Sequence, residues 1–242
     1  MVFTILIMTI TFDLFSCKKL VNNFKSFIEN TIDVISSDDE SKLMDAIEKL
    51  KTNVGNIYIN TTVINIKENS IINITGNLNG GIVGIRQDNG EYPRINFINK
   101  DGSNSGINII GLNKYLQYII IENAHGDGIS IFGNYNDLYH VVSRYNYGSG
   151  IVVYGDYNDI FYCYSYKNCD ATINSVNADG FRIYGNIDNL FISCFAWDNA
   201  NSGFNFMRIM NSSDLQYSHC GSWNNGNINV FTENMIMNLE LF

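Results

Sequence analysis

The sequence predicts an all-β solenoid, a parallel β-helix, on three observations. A glycine-headed phrase recurs as GINIIG from Gly106, GISIFG from Gly128, GIVVYG from Gly150 and GFRIYG from Gly180, with GFNF from Gly203 as a fifth copy. The intervals are 22, 22, 30 and 23 residues, the long one holding an insertion near residues 169–176. From Asn56 onward the apolar residues come in short runs bounded by Asn, Gly or Thr, such as VINI from Val63 and INFI from Ile95, as expected of short strands between tight turns. Asn, Ile, Tyr, Phe and Gly are abundant and Pro93 is the one proline, a mixture rich in strand and turn formers and poor in helix formers. A period near 22 is too short for a propeller blade, and the repeat lacks the leucines of a leucine-rich repeat. One coil per repeat, paired strand on strand with its neighbours, remains.

The elements follow in chain order. Residues 1–17 read as a secretory signal peptide, with the apolar run VFTILIMTITFDLFS ending at Ser16; the run is too short to span a bilayer. A buried N-terminal strand and a lipoprotein-type site at Cys17 are the alternatives. Three Asn-X-Ser/Thr triplets, at Asn60, Asn73 and Asn211, fit export in a eukaryote and also arise by chance in an Asn-rich chain. Residues 18–55 form an N-terminal segment with a strand near Val34–Ile35 and a short amphipathic helix within 36–53. There Ser37 is the expected cap, Asp38, Asp39 and Glu40 fill the first turn, and Leu43, Ile47 and Leu50 form one stripe. That stripe suits the covering of a solenoid end. Residues 56–242 are the β-helix.

In such a fold, equal positions of successive repeats stack about 4.8 Å apart. Asn123, Asn146, Asn168, Asn199 and Asn225 are therefore expected to form a ladder of amides bonded coil to coil. Val141, Cys163, Cys194 and Cys220 form a second column, read as inward free thiols, with one disulfide between coils as the alternative. Tyr166, Trp197 and Trp223 form a third, either a packed ladder or, if exposed, a surface for sugar rings. His125, His140 and His219 lie at turns or strand ends and are read as structural.

Within each phrase the residues one and three after the glycine are apolar and point inward, so those before it and two after it are expected to face solvent. The first polar column is Ser105, Asp127, Ser149, Asp179 and Ser202, and the second is Asn108, Ser130, Val152, Arg182 and Asn205. They outline a long polar face, suited to a linear polymer, with Asp179 and Arg182 at its middle. The net charge of −9 argues against nucleic acid and anionic membranes as partners. No cysteine spacing matches a zinc site, and a monomer is expected.

The segments SYKNCD (165–170), NADGF (177–181), FAWDNANSGF (195–204) and SWNNGN (222–227), in this order and spacing, resemble coils of polysaccharide lyase family nine. Those are pectate lyases with a right-handed, pectin-lyase-like parallel β-helix, and the resemblance covers about residues 36–232. It implies a secreted protein that acts on, or binds, acidic plant cell-wall polysaccharide. In the family, four carboxylates hold a calcium ion and a lysine in a later coil removes a proton from the sugar. Carried over, the calcium positions fall on Asp179, Asn201, Ser202 and Asn205, so one carboxylate of four is kept. The last lysine of the chain is Lys167, and the catalytic lysine has no counterpart. The resemblance thus implies a degenerate or shortened member with weak calcium binding and weak or lost β-elimination, which needs a neutralised substrate carboxylate and a base. Arg182 is left as the candidate base, and Arg182 with Arg208 as uronate-binding groups; a plain surface ion pair of Arg182 with Asp179 is the alternative. A non-catalytic carbohydrate-binding module is the competing reading of the whole chain.

Overall fold

A computed structural model describes residues 30–67, 71–98, 106–168, 178–185, 187–207 and 215–226. The apolar N-terminal run, the insertion near 169–176, Ser105, Arg208 and the Asn211 triplet lie outside these residues. The five glycine-headed phrases, with one strand ahead of them, form one sheet of parallel strands: β4 (Ile72–Ile74), then β7 (Ile107–Ile109), β9 (Ile129–Ile131), β11 (Ile151–Val153), β14 (Phe181–Ile183) and β17 (Phe204–Phe206). Register is strict, with Ile129, Ile151, Phe181 and Phe204 in one file. The side chains one and three after the glycine are fully buried from Ile107 to Ile183, and the Phe181 and Phe204 rings stack at 4.7 Å.

The rest of each coil belongs to a second, bent sheet. One limb is β1 (Thr31–Ile35), β2 (Gly55–Ile59), β5 (Gly80–Gly84), β8 (Lys114–Glu122), β10 (Asp137–Arg144), β12 (Asp159–Phe161), β15 (Asn189–Ile192) and β18 (Leu215–Ser218). The other limb is β3 (Val63–Ile66), β6 (Arg94–Phe97), β13 (Tyr164–Tyr166), β16 (Phe195–Trp197) and β19 (Gly221–Trp223), joined to the first because β8 and β10 run through both. The bend is a file of left-handed residues: Tyr118, His140, Tyr162, Ser193 and His219 all have φ between 52° and 57°. Non-glycine residues pay for this conformation in steric energy. Ring stacking offsets part of it here, with His140 sandwiched between Tyr118 at 5.4 Å and Tyr162 at 5.0 Å.

Among the described residues one helix, α1 (Glu40–Leu50), packs on β1 to β4 and buries Leu43, Ala46, Ile47 and Leu50 in the common core. Its cap is Asp39, whose carboxylate accepts from the backbone N–H of Lys42 at 2.9 Å, so the helix starts two residues later than a Ser37 cap requires. Asp38 and Glu40 instead accept backbone N–H groups of Asn65 and Lys67 at the open strand edge. At the other end Lys114, almost fully buried, donates from Nζ to the carbonyl of Leu78 and, at 3.5 Å, to that of Leu50. A cation is favoured beside the carbonyl end of a helix, so this lysine ties the cap to the third coil. β1 precedes the helix yet pairs in parallel with β2, so the sheet begins ahead of its cover.

The asparagine ladder is real but one member differs. Nδ2 of Asn146 donates to Asn168, Asn168 to Asn199, and Asn199 to Asn225, at 2.9, 2.9 and 3.0 Å, and each acceptor also takes the backbone N–H of its predecessor. The equivalent of Asn146 one coil earlier is Ala124, whose N–H donates to the Asn146 oxygen at 3.0 Å. Asn123 lies one residue off and bonds instead in an exposed chain through Asn96 and Asn65 to Asp38. The offset follows from Asn123 being itself a left-handed corner residue (φ 62°), so its side chain turns outward. A second buried file, Asn136, Asn158 and Asn189, joins its backbone N–H groups in the same way at 2.9 Å. Cys163, Cys194 and Cys220 are free thiols, the first two fully buried. Burial pushes the Cys194 thiol well up, which keeps it unreactive.

The buried ladder is expected to carry more stability than the exposed one. Asn168→Ala leaves several buried groups without partners and should cost roughly 3 kcal/mol in equilibrium urea unfolding. Asn123→Ala should cost less than about 0.5 kcal/mol.

Candidate functional site

Asp179 sits at the head of β14, next to Gly180. A side chain at 180 is barred because a Cβ there would lie 2.6 Å from the Ala196 methyl and from the Gly203 carbonyl. This tight passage seats Asp179 beside the returning coil that carries Asn201, Ser202 and Asn205. The Asp179 carboxylate is the hub: Oδ1 accepts from Asn201 Nδ2 at 2.7 Å and the Ser202 backbone N–H at 3.0 Å, and Oδ2 accepts from Arg182 Nε at 2.7 Å and Asn205 Nδ2 at 2.9 Å. Its own backbone N–H donates to Ser149 Oγ at 3.1 Å. Asp179 is fully buried and Arg182 nearly so.

The long exposed face expected from the two polar columns is therefore closed at its middle. Ser130, Ser149, Val152, Asp179, Arg182 and Ser202 are all buried, because the outward polar groups bond to one another instead of to water. The Arg182–Asp179 ion pair exists, but as a buried pair, not a surface one. The structure unites Asp179, Arg182, Asn201, Ser202 and Asn205; Arg208 lies outside the described residues. Asp127, two repeats earlier in the same column, belongs with them. Burial raises its pKa, the bond from the Ser149 N–H (2.7 Å) and the charge of Arg182 lower it, and the charge of Asp179 raises it again. Burial works against the charge of Arg182, yet Asp179 holds its pKa above the ordinary arginine value.

A ring file flanks the cluster: Phe132, Tyr154 and Tyr184 stack at 4.7 and 4.8 Å, and the Tyr154 phenol is raised by burial and then by the charge of Asp127. The first two are exposed. The sequence signal for this file was the residue before the second glycine in GISIFG, GIVVYG and GFRIYG. The Tyr166, Trp197 and Trp223 column is a stacked ladder at 4.3 and 5.1 Å, half-buried at Tyr166 and Trp197 and exposed at Trp223. Rings stacked on one another present their edges, not their faces, to anything lying along the side of the column. His125 packs on Tyr147, His140 lies in its tyrosine stack, and His219 meets Ser218.

These features define a parallel β-helix with a polar cluster on its glycine-headed sheet. The profile described as "Pel9A-like, right handed beta helix region" matches residues 30–237, and the chain belongs to that family. The solved structure titled "Crystal structure of pectate lyase Pel9A" is similar at a TM-score of 0.63 and 19% identity, covering 86% of this chain and 57% of that one. A structure titled "Rhamnogalacturonan lyase" follows at 0.60 and 16%, covering 84% and 59%. A third, "Geobacillus virus E2 - ORF18", gives 0.54 and 17%, covering 88% and 44%. The chain thus spans less than two thirds of each of these proteins. No curated protein matches the sequence.

Calcium is the ion this family resemblance implies, and the groups at Asp179 do not fit it. Calcium takes six to eight oxygen ligands, whereas the groups facing Asp179 are N–H donors, one of them a guanidinium. Turning both amides would offer two oxygens, but neither the Arg182 Nε nor the Ser202 N–H can become a ligand.

Two outcomes follow for this cluster. Asp179→Ala strands a buried guanidinium and should cost about 3–5 kcal/mol, while the double variant with Arg182→Met should cost less than Asp179→Ala alone; unfolding midpoints check both. For Asp127 the folded-state pKa is raised, so its ionised form weakens the fold at neutral pH. That cost fades as pH falls through the raised value toward 3.8. Asp127→Asn should therefore melt higher than the parent at pH 7, and the gain should vanish near the ordinary carboxylate pKa.

Proposed function

We propose that this chain binds an acidic pectic polysaccharide, with polygalacturonate as the reference polymer, and cleaves it weakly or not at all. Family membership and two similar structures named as lyases of pectate and rhamnogalacturonan support the substrate class. The observation that carries the low activity is the hold of Asp179 on Arg182. β-Elimination needs a base to take the proton beside the uronate carboxylate. An arginine whose proton is held by a carboxylate, with its pKa raised, does not supply one. Lys167, the last lysine, lies over the Tyr145 ring with Nζ at 5.8 Å, among aromatic groups and away from any role in the Asp179 hydrogen bonds. Loss of a positioned base removes roughly 10²–10⁴-fold in rate. Secretion and a monomeric state complete the proposal, since the polymer is extracellular and a single coil stack presents the binding face.

The competing reading, a module that binds and never cleaves, draws on the same closed cluster. Purified protein with polygalacturonate and calcium, followed by ultraviolet absorbance of the unsaturated product, tells a weak lyase, with a slow rate above background, from a pure binding module, with none. The expected result is a rate at or near background together with retardation in polygalacturonate gels. A vigorous calcium-dependent rate would overturn the proposal, and no retardation would remove the polymer from it.

A further inference from the structure

We infer that Arg182 is a tethered cation that takes the place of a divalent metal at this cluster, so that the site assembles without calcium and admits none. Its guanidinium donates to Asp179 at 2.7 Å inside a nearly closed environment, and register places it between Val152 and Asn205 of the neighbouring coils. Val152 is fully buried and its side chain offers no oxygen to an ion. Asn205 and Asn201 turn their N–H ends toward the carboxylate, the orientation set by an acceptor that has its cation already. The Arg182 charge also acts on Asp127, so one guanidinium serves two carboxylates of the same column.

Competition decides the matter. A calcium ion entering here must displace a cation that is covalently attached, and whose effective concentration is therefore far above that of any free ion. It must also leave the displaced guanidinium without its buried partner, which is costly. Both amides would have to rotate as well, and even then one carboxylate would face an ion that prefers several. The cluster keeps its charge balance with a side chain in place of an ion.

The test begins with the protein alone, which makes it independent of the polysaccharide reading. Wild-type protein is titrated with calcium chloride by calorimetry and melted in calcium and in EDTA. No saturable heat and a melting shift below about 1 °C are expected. Arg182→Met keeps the apolar stem and frees Asp127 and Asp179, and a calcium-dependent rise of about 3 °C is expected, larger than with magnesium. Arg182→Lys restores a tethered cation and should again ignore calcium. Saturable calcium binding by the wild type, or a folded Arg182→Met protein with no calcium response, overturns the inference. If Arg182→Met does not fold, the wild-type and Arg182→Lys titrations decide. A second arm, which rests on the proposed polymer binding, compares retardation in polygalacturonate gels with calcium and with EDTA. Equal retardation supports the inference. Retardation in calcium alone sinks it while leaving the polymer reading intact, and no retardation in either buffer sinks the polymer reading and leaves the titrations to judge Arg182.

Discussion

In-register stacking is the constraint from which the other features descend. Every strand bonds to its own equivalent in the next coil, so each side chain has its counterpart as nearest neighbour, about 4.8 Å away. Only some residues tolerate that company. Asparagine carries a donor and an acceptor and can bond to its own kind, which is why Asn146, Asn168, Asn199 and Asn225 form a continuous buried chain. Aromatic rings satisfy the same condition by stacking, as Trp197 does on Trp223 with planes 1° apart. Carboxylates do not satisfy it, because two like charges at that distance repel strongly in a poorly solvated setting. The column ahead of the glycines accordingly reads Asp127, Ser149, Asp179, Ser202. Serine separates the acids, the Ser149 N–H and Oγ bond to both of them, and Arg182 lies within the field of each.

That arrangement shapes what the site can do. A carboxylate whose two oxygens receive four donors is a structural hub with no lone pair left for a metal. The arginine it holds is fixed in its protonated form and serves as a charge, not as a proton acceptor. The family fold is retained, and the polar groups of this part of its sheet are engaged in internal pairing.

The cap obeys the same economy. Solenoid ends expose apolar coil edges and unpaired strand groups. Leu43, Ala46, Ile47 and Leu50 cover the former, and the Asp38 and Glu40 carboxylates bond to the latter at Asn65 and Lys67. A lysine from the third coil, Lys114, reaches back to the last carbonyl of the helix. Cap and coil are thereby tied together at both ends of the helix.

The repeat, its period, the inward isoleucines and the members of most ladders were legible in the sequence, because stacking makes each column visible as a recurring residue type at a fixed interval. The grouping of Asp179 with Asn201, Ser202 and Asn205 was legible through the family resemblance, and the ring file of Phe132, Tyr154 and Tyr184 was present in the repeat though not singled out. Three things needed the coordinates. Asn123 matched the pattern by type, but its left-handed backbone turned it out of the buried ladder. The helix cap fell to Asp39 in place of Ser37, since Asp38 and Glu40 were drawn to a neighbouring coil. The middle of the polar columns, outward by strand alternation, was nonetheless buried, because alternation fixes the direction in which a side chain leaves the backbone and not what then covers it. Which partner a charge finds depends on groups brought from residues 127, 149, 182 and 201–205 to one point, a distance that only the folded coil defines.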